Sequence, residues 1–157
     1  MKIIGKTTIH PVFFYTGKVA GYAIWIILFG ELVGIDLIDA NIFTIPKYTS
    51  LSLLIVGLIF TVISLVNLGK STSLGLPTEE TQLKTNGLYN FSRNPMYVGF
   101  NLITISAMVY TLSWFVIALG VYSLIVYHLI ILGEENFMST RFGEDYKVYK
   151  ARVRRYL

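Results

Sequence analysis

The chain of 157 residues contains no cysteine. That excludes disulfides, Cys-ligated zinc, iron–sulfur clusters and thiol catalysis, and it leaves the redox compartment open. Charge is also scarce. Only 14% of residues are charged, against roughly 25% in ordinary soluble domains. There are four prolines and two histidines. His10 and His128 have no spaced partners, so no metal site is expected. A phosphate-binding glycine loop, a basic–aromatic nucleic-acid motif, a nucleophile elbow and an internal repeat are all missing. Nucleic acid is therefore not an expected partner.

Apolar surface is abundant. Hydrophobic residues make up 54% of the chain, and the mean hydropathy is +0.62. A core of this size cannot hide so much apolar area, so lipid must cover part of it. A bilayer span needs about 20 largely apolar residues. Four stretches approach that length: Tyr15 to Ile38, Thr49 to Leu68, Pro95 to Leu112 and Ser113 to Gly133. No small-residue cleavage site follows the first, which is read as a span. The last two are nearly continuous, which predicts a helical hairpin turning near "YTLSW", with Tyr110 and Trp114 at the membrane interface. The fold expected is an all-α polytopic membrane protein with about four transmembrane helices. It forms one domain over 1–157, with two N-terminal spans in 1–67 and a functional core over 68–157.

The net charge is +4, and its distribution predicts sidedness. Twelve of the thirteen Lys and Arg residues lie before or at the start of the first span, between the second and third, or after the fourth. Lys47 alone lies on the other side. The positive-inside rule then places both termini, the loop over 69–92 and the tail over 134–157 in the cytoplasm.

Polar residues gather at that face. Asn94-Pro95 is a helix-start signal, because Asn caps and Pro suits the first helical position. The amides of Met96 and Tyr97 then form a partly positive cup suited to a carboxylate. Arg93 beside this cup has the wrong sign for the helix dipole. Membrane anchoring explains it, and so does an anion held between Arg93 and the amides. Glu134 and Glu135 raise the mirror question at the end of the fourth run, where a solvated pair bridged to Arg141 is the simpler account. The loop is long enough to be functional. Its Asn86-Gly87 turn brings Tyr89 towards Arg93. In the tail, Phe142, Tyr146, Tyr149 and Val153 mark one face of an amphipathic helix, expected to lie on anionic lipid. Glu31 is an intramembrane carboxylate, and it alone supports a transporter reading.

Taken in order, Leu83-x-Thr85-x-Gly87-x-Tyr89, Arg93-Asn94-Pro95-x-Tyr97-x-Gly99, Glu134-Glu135, Phe142-Gly143-x-x-Tyr146-x-x-Tyr149 and Arg152-Val153 resemble the isoprenylcysteine carboxyl methyltransferases and the related membrane phospholipid methyltransferases. The resemblance covers roughly residues 68 to 155. It implies a membrane-embedded methyltransferase using S-adenosylmethionine on a hydrophobic or lipid-borne acceptor at the cytoplasmic face. It implies cofactor contacts from Leu83, Lys84, Thr85, Gly87, Tyr89, Arg93, Asn94, Met96, Tyr97, Glu134 and Glu135, and puts Arg93, Arg152 and Glu135 at the reacting centre. The chain departs from the pattern at Asn94, where His is usual, at Arg154, where Pro is usual, and at Ile130, where prenylcysteine enzymes carry Arg. The alternatives are a lipid amine N-methyltransferase and a non-catalytic module binding lipid or a partner. Membrane lipids are expected partners. No oligomer is predicted, and an acceptor pocket completed by another subunit stays open.

Overall fold

The computed structural model describes residues 7–38, 44–69 and 82–157. Helix α1 spans Pro11–Leu32, α2 Thr44–Leu68, α3 Pro95–Thr111 and α4 Trp114–Arg152, with a 3-10 turn at Gly87–Asn90 before α3. The described residues contain no strand, only an isolated parallel bridge between Ser92 and Arg154.

Three helices are long and apolar enough to cross a membrane: α1, the Lys47–Leu68 part of α2, and α4. Helix α3 has 17 residues, about 26 Å at the helical rise, against a hydrocarbon core of about 30 Å. Leu112, with φ 46°, ends it, and α4 starts two residues later. This is the tight turn expected near "YTLSW". Trp114 at its tip is 79% exposed, whereas Tyr110 is buried in the core.

Small residues set the packing, as expected where lipid removes the hydrophobic drive between helices. Gly17 and Gly21 lie four apart on α1. A Cβ at Gly17 would strike Val126, and one at Gly21 would lie 2.7 Å from Ser123 Oγ and 2.9 Å from Tyr127 OH. The Thr16 and Tyr122 hydroxyls share a 2.7 Å hydrogen bond, and Gly120 faces Ile24. Helices α1 and α4 are thus antiparallel. So are α2 and α3. Ser50 and Ser106 each donate to the other's carbonyl, at 2.9 and 2.8 Å, and Gly57 and Gly99 meet backbone to backbone. A hydrogen bond of 3.0 Å from Trp25 Nε1 to Thr104 Oγ1 ties α1 to α3. The outer face of α2 exposes Ile55, Ile59, Val62 and Val66.

Two boundaries differ from the sequence reading. Helix α1 begins at Pro11 and ends at Leu32, because Pro occupies the first helical position and Gly34 turns at φ 83°. Lys18 therefore lies seven residues inside the helix instead of at its mouth. Glu31 accepts hydrogen bonds from the Leu37 and Ile38 amides at 2.8 and 2.9 Å, so this carboxylate closes a turn at the helix end. The tail also differs. Helix α4 runs past Gly133 without a stop and bends at Gly143 (φ 51°, ψ −120°). The face of Tyr146, Tyr149 and Val153 is buried against Leu83, Met138 and Phe142. It packs on protein, where lipid had been expected, because the bend folds the tail back over the loop.

Candidate functional site

Antiparallel packing brings the N-terminal ends of α1 and α3, the loop before α3 and the tail to one end of the bundle. The loop is positioned first. Gly87 takes φ 61°, and the Asn67 side chain of α2 presses where a Cβ would stand. Only glycine fits there, which explains the Asn-Gly turn. Tyr89 is buried, and its carbonyl accepts the Tyr149 hydroxyl at 2.6 Å. Tyr89 thus anchors the turn to the tail.

After Val153 the chain leaves the helix and runs as an extended strap beside Ser92–Asn94. The Arg93 amide donates to the Arg154 carbonyl at 2.9 Å. In an extended segment successive side chains point to opposite sides. Arg154 is accordingly exposed, while Arg155 turns inward to Glu135.

Glu135 is the hub. Its Oε1 accepts Arg93 Nη2 at 2.8 Å, Arg93 Nε at 3.1 Å and Asn94 Nδ2 at 3.3 Å. Its Oε2 accepts Arg155 Nη2 at 3.0 Å. The Arg93 and Glu135 side chains are only 7% and 5% exposed. Arg93 Nη1 also donates to the Val153 and Lys150 carbonyls. Glu135 lies beyond the apolar stretch of α4, which ends near Gly133. Burial pushes its carboxyl up, but the hydrogen bonds and charges of Arg155 and Arg93 outweigh burial and hold it below its ordinary value. It stays ionised at neutral pH.

Glu134 points elsewhere, since neighbouring helical residues diverge by about 100°. Its Oε1 accepts the Tyr97 hydroxyl at 2.8 Å. The acidic pair is thus divided between two surroundings. Farther along the strap, the Tyr156 hydroxyl meets His128 Nδ1 at 2.7 Å.

The structure brings together Arg93, Asn94 and Glu135, and separately Tyr97 and Glu134. Three expectations change. Asn94 stands at the N-cap position, but its side chain makes no cap. It donates instead to Glu135 and to the Arg155 carbonyl at 3.2 Å, because the strap offers stronger acceptors. Arg93 does not wait for an outside anion, since four of its five N–H groups already have partners. Glu134 and Glu135 sit within a continuing helix, so the dipole at a helix end does not act on them. Leu83 packs on the tail, Lys84 and Thr85 are half-buried, and Met96 lines the core beside Tyr97. Arg152 is exposed on the last turn of α4, and the guanidinium that reaches Glu135 belongs to Arg155. Which of Arg152, Arg154 and Arg155 turns inward depends on where the helix stops, and sequence periodicity does not fix that residue.

The model of the phospholipid methyltransferases matches residues 46–145. The chain belongs to the phospholipid methyltransferase family. That places it among membrane methyltransferases with lipid-type substrates. No curated protein and no solved structure matches it. The family match runs from the start of α2 into the tail, and leaves out α1 and the strap that carries Arg155.

Proposed function

We propose that this member of the phospholipid methyltransferase family moves a methyl group from S-adenosylmethionine to the amine of a membrane lipid at the cytoplasmic face. The observation that carries this reading is Glu134. It is a carboxylate with a hydrogen bond on one oxygen, set beside the start of α3. The first amides of a helix lack partners within it. Those of Met96 and Tyr97 suit the cofactor's carboxylate, with Leu83, Lys84 and Thr85 in the adjoining loop. These donors fit the cofactor with roles redistributed. Arg93 and Glu135 build the wall behind it, and Glu134 is assigned to the acceptor.

Bound S-adenosylmethionine supplies an electrophilic methyl group. The chain must align the acceptor with it and exclude water. Glu134, held by Tyr97, positions the acceptor nitrogen. The acceptor ammonium would first give a proton to Glu134; the freed lone pair would then form the new nitrogen–methyl bond as the methyl–sulfur bond breaks and the neutral thioether, S-adenosylhomocysteine, leaves. Four crossings, with α3 as the third, and the basic strap on the cytoplasmic side agree with the charge distribution.

A carboxylate acceptor, as in isoprenylcysteine carboxyl methyltransferases, calls for a cation beside the reacting oxygen. Arg93 and Arg155 are both spent on Glu135. Ile130, fully buried, stands one turn before the acidic pair. The amine reading is therefore preferred. Calorimetry on the protein in lipid nanodiscs is expected to show S-adenosylmethionine binding in the micromolar range, about −8 kcal/mol. Absence of binding would sink the reading.

A further inference from the structure

Helix α3 packs chiefly on α2, and α4 chiefly on α1. The seam between α3 and α4 is therefore only loosely joined, mainly by the rings of Tyr97 and Phe100 against Tyr127. Going round α4, Val126 meets α1, Tyr127 meets α3 and His128 meets the strap, in steps of about 100°. Helix α1 and the strap thus flank the seam from opposite sides.

The strap straddles the seam. On the α3 side, the Arg155 carbonyl accepts Asn94 Nδ2 at 3.2 Å and Ser92 Oγ at 3.3 Å. On the α4 side, the Arg155 guanidinium meets Glu135, and the Tyr156 ring stacks on His128 with its hydroxyl 2.7 Å from Nδ1. The bridge between Ser92 and Arg154 is parallel, so the strap heads the same way as the chain entering α3. His128 lies seven residues before Glu135, about 10 Å closer to the hairpin tip. Tyr156 also packs on the cluster that holds Tyr97 and Tyr127, and so covers the flank of the residues around Glu134.

The two ends of the strap are held unequally. Arg155 is fixed by a carboxylate and by two donors to its carbonyl. Tyr156 has one hydrogen bond and side-chain packing, and Leu157 beyond it is 63% exposed. A brace needs only the clamp at Arg155. The Tyr156 tip adds a cover over the seam, on a base about which it can swing.

We propose that the strap is a lateral gate on the seam between α3 and α4. Tyr156 swings off His128 about the Arg155 clamp and admits the acyl chain of a membrane lipid from the bilayer. That this lipid is the methyl acceptor rests on the reading above; the gate itself does not.

The chain has no cysteine, so a His128→Cys/Tyr156→Cys pair carries its only thiols. A short bis-methanethiosulfonate ties the two together, and reductant frees them. The protein in liposomes receives phosphatidylethanolamine with a photoreactive acyl chain, and mass spectrometry locates the label. Label on Tyr97, Phe100 and Tyr127 is expected in the free pair, to vanish on cross-linking and to return on reduction. Label on the outer face of α2 stays constant as the internal reference. S-adenosylmethionine affinity is the same in the free and cross-linked forms. Tyr156→Phe, which removes only the hydroxyl, is expected to speed labelling of the seam about fivefold, the scale of one hydrogen bond. Seam label that persists after cross-linking, an unchanged rate in Tyr156→Phe, or loss of cofactor binding on cross-linking overturns the proposal. If no form binds S-adenosylmethionine while the seam label follows the cross-link, the gate stands and the methyl-transfer reading falls.

Discussion

Glu135→Ala is expected to destabilise the protein by about 3–5 kcal/mol, the usual cost of stranding the partner of a buried ion pair. Two guanidiniums lose their carboxylate at once, Arg93 at 7% side-chain exposure and Arg155 at 32%. Asn94 loses an acceptor as well. The strap then keeps the Arg93–Arg154 backbone bond, the Arg93, Asn94 and Ser92 contacts to strap carbonyls, and the Tyr156–His128 contact. Chemical unfolding in micelles measures the loss, and limited proteolysis should cut first after the strap arginines. Glu135→Gln should fall between parent and alanine variant, since it keeps shape and some hydrogen bonding but no charge. A parent-like stability for Glu135→Ala would show that the clamp contributes nothing.

Glu134→Gln carries the opposite signature. The side chain keeps its size and its contact with Tyr97, and only one ion-pair-free carboxylate is neutralised. Stability should stay within the ordinary range for such a change. Turnover should fall by about 100-fold, the lower range for loss of a positioned proton acceptor. S-adenosylmethionine affinity should stay near that of the parent protein, because the amides of Met96 and Tyr97 are untouched. A rate assay beside calorimetry separates the two. If cofactor binding collapses while the turnover of the bound enzyme holds, Glu134 belongs to the cofactor and the assignment of roles is wrong. The adjacent glutamates would then share one task in spite of their different surroundings.

The helical hairpin, the Asn-Gly turn and the apolar face of the tail were legible in the sequence because each depends on local chemistry. Leu112 and Gly87 mark turns, and the Tyr146–Tyr149–Val153 spacing marks a face whatever covers it. What covers it was not legible. The bend at Gly143 needs a positive φ, and a lone glycine in a helical pattern does not announce one. The site was legible in part. Arg93 and the acidic pair were singled out, but not that one glutamate takes Arg93 and the other takes Tyr97. That division follows from the helix running on through both residues. Arg155 was not singled out, because the residue that turns inward to Glu135 depends on where α4 gives way to an extended strap. Lys18 was counted as a flanking charge, since only Pro11 at the first helical position shows how far inside α1 it lies.

The central claim is methyl transfer to a lipid amine. The direct measurement supplies the purified full chain, in liposomes, with methyl-labelled S-adenosylmethionine and either phosphatidylethanolamine or phosphatidylglycerol. The label is followed into the lipid fraction. The account predicts label on the amine-bearing headgroup, none on phosphatidylglycerol, and loss of the signal in Glu134→Gln. Cofactor binding without label in phosphatidylethanolamine, or equal label with Glu134 replaced, would contradict it.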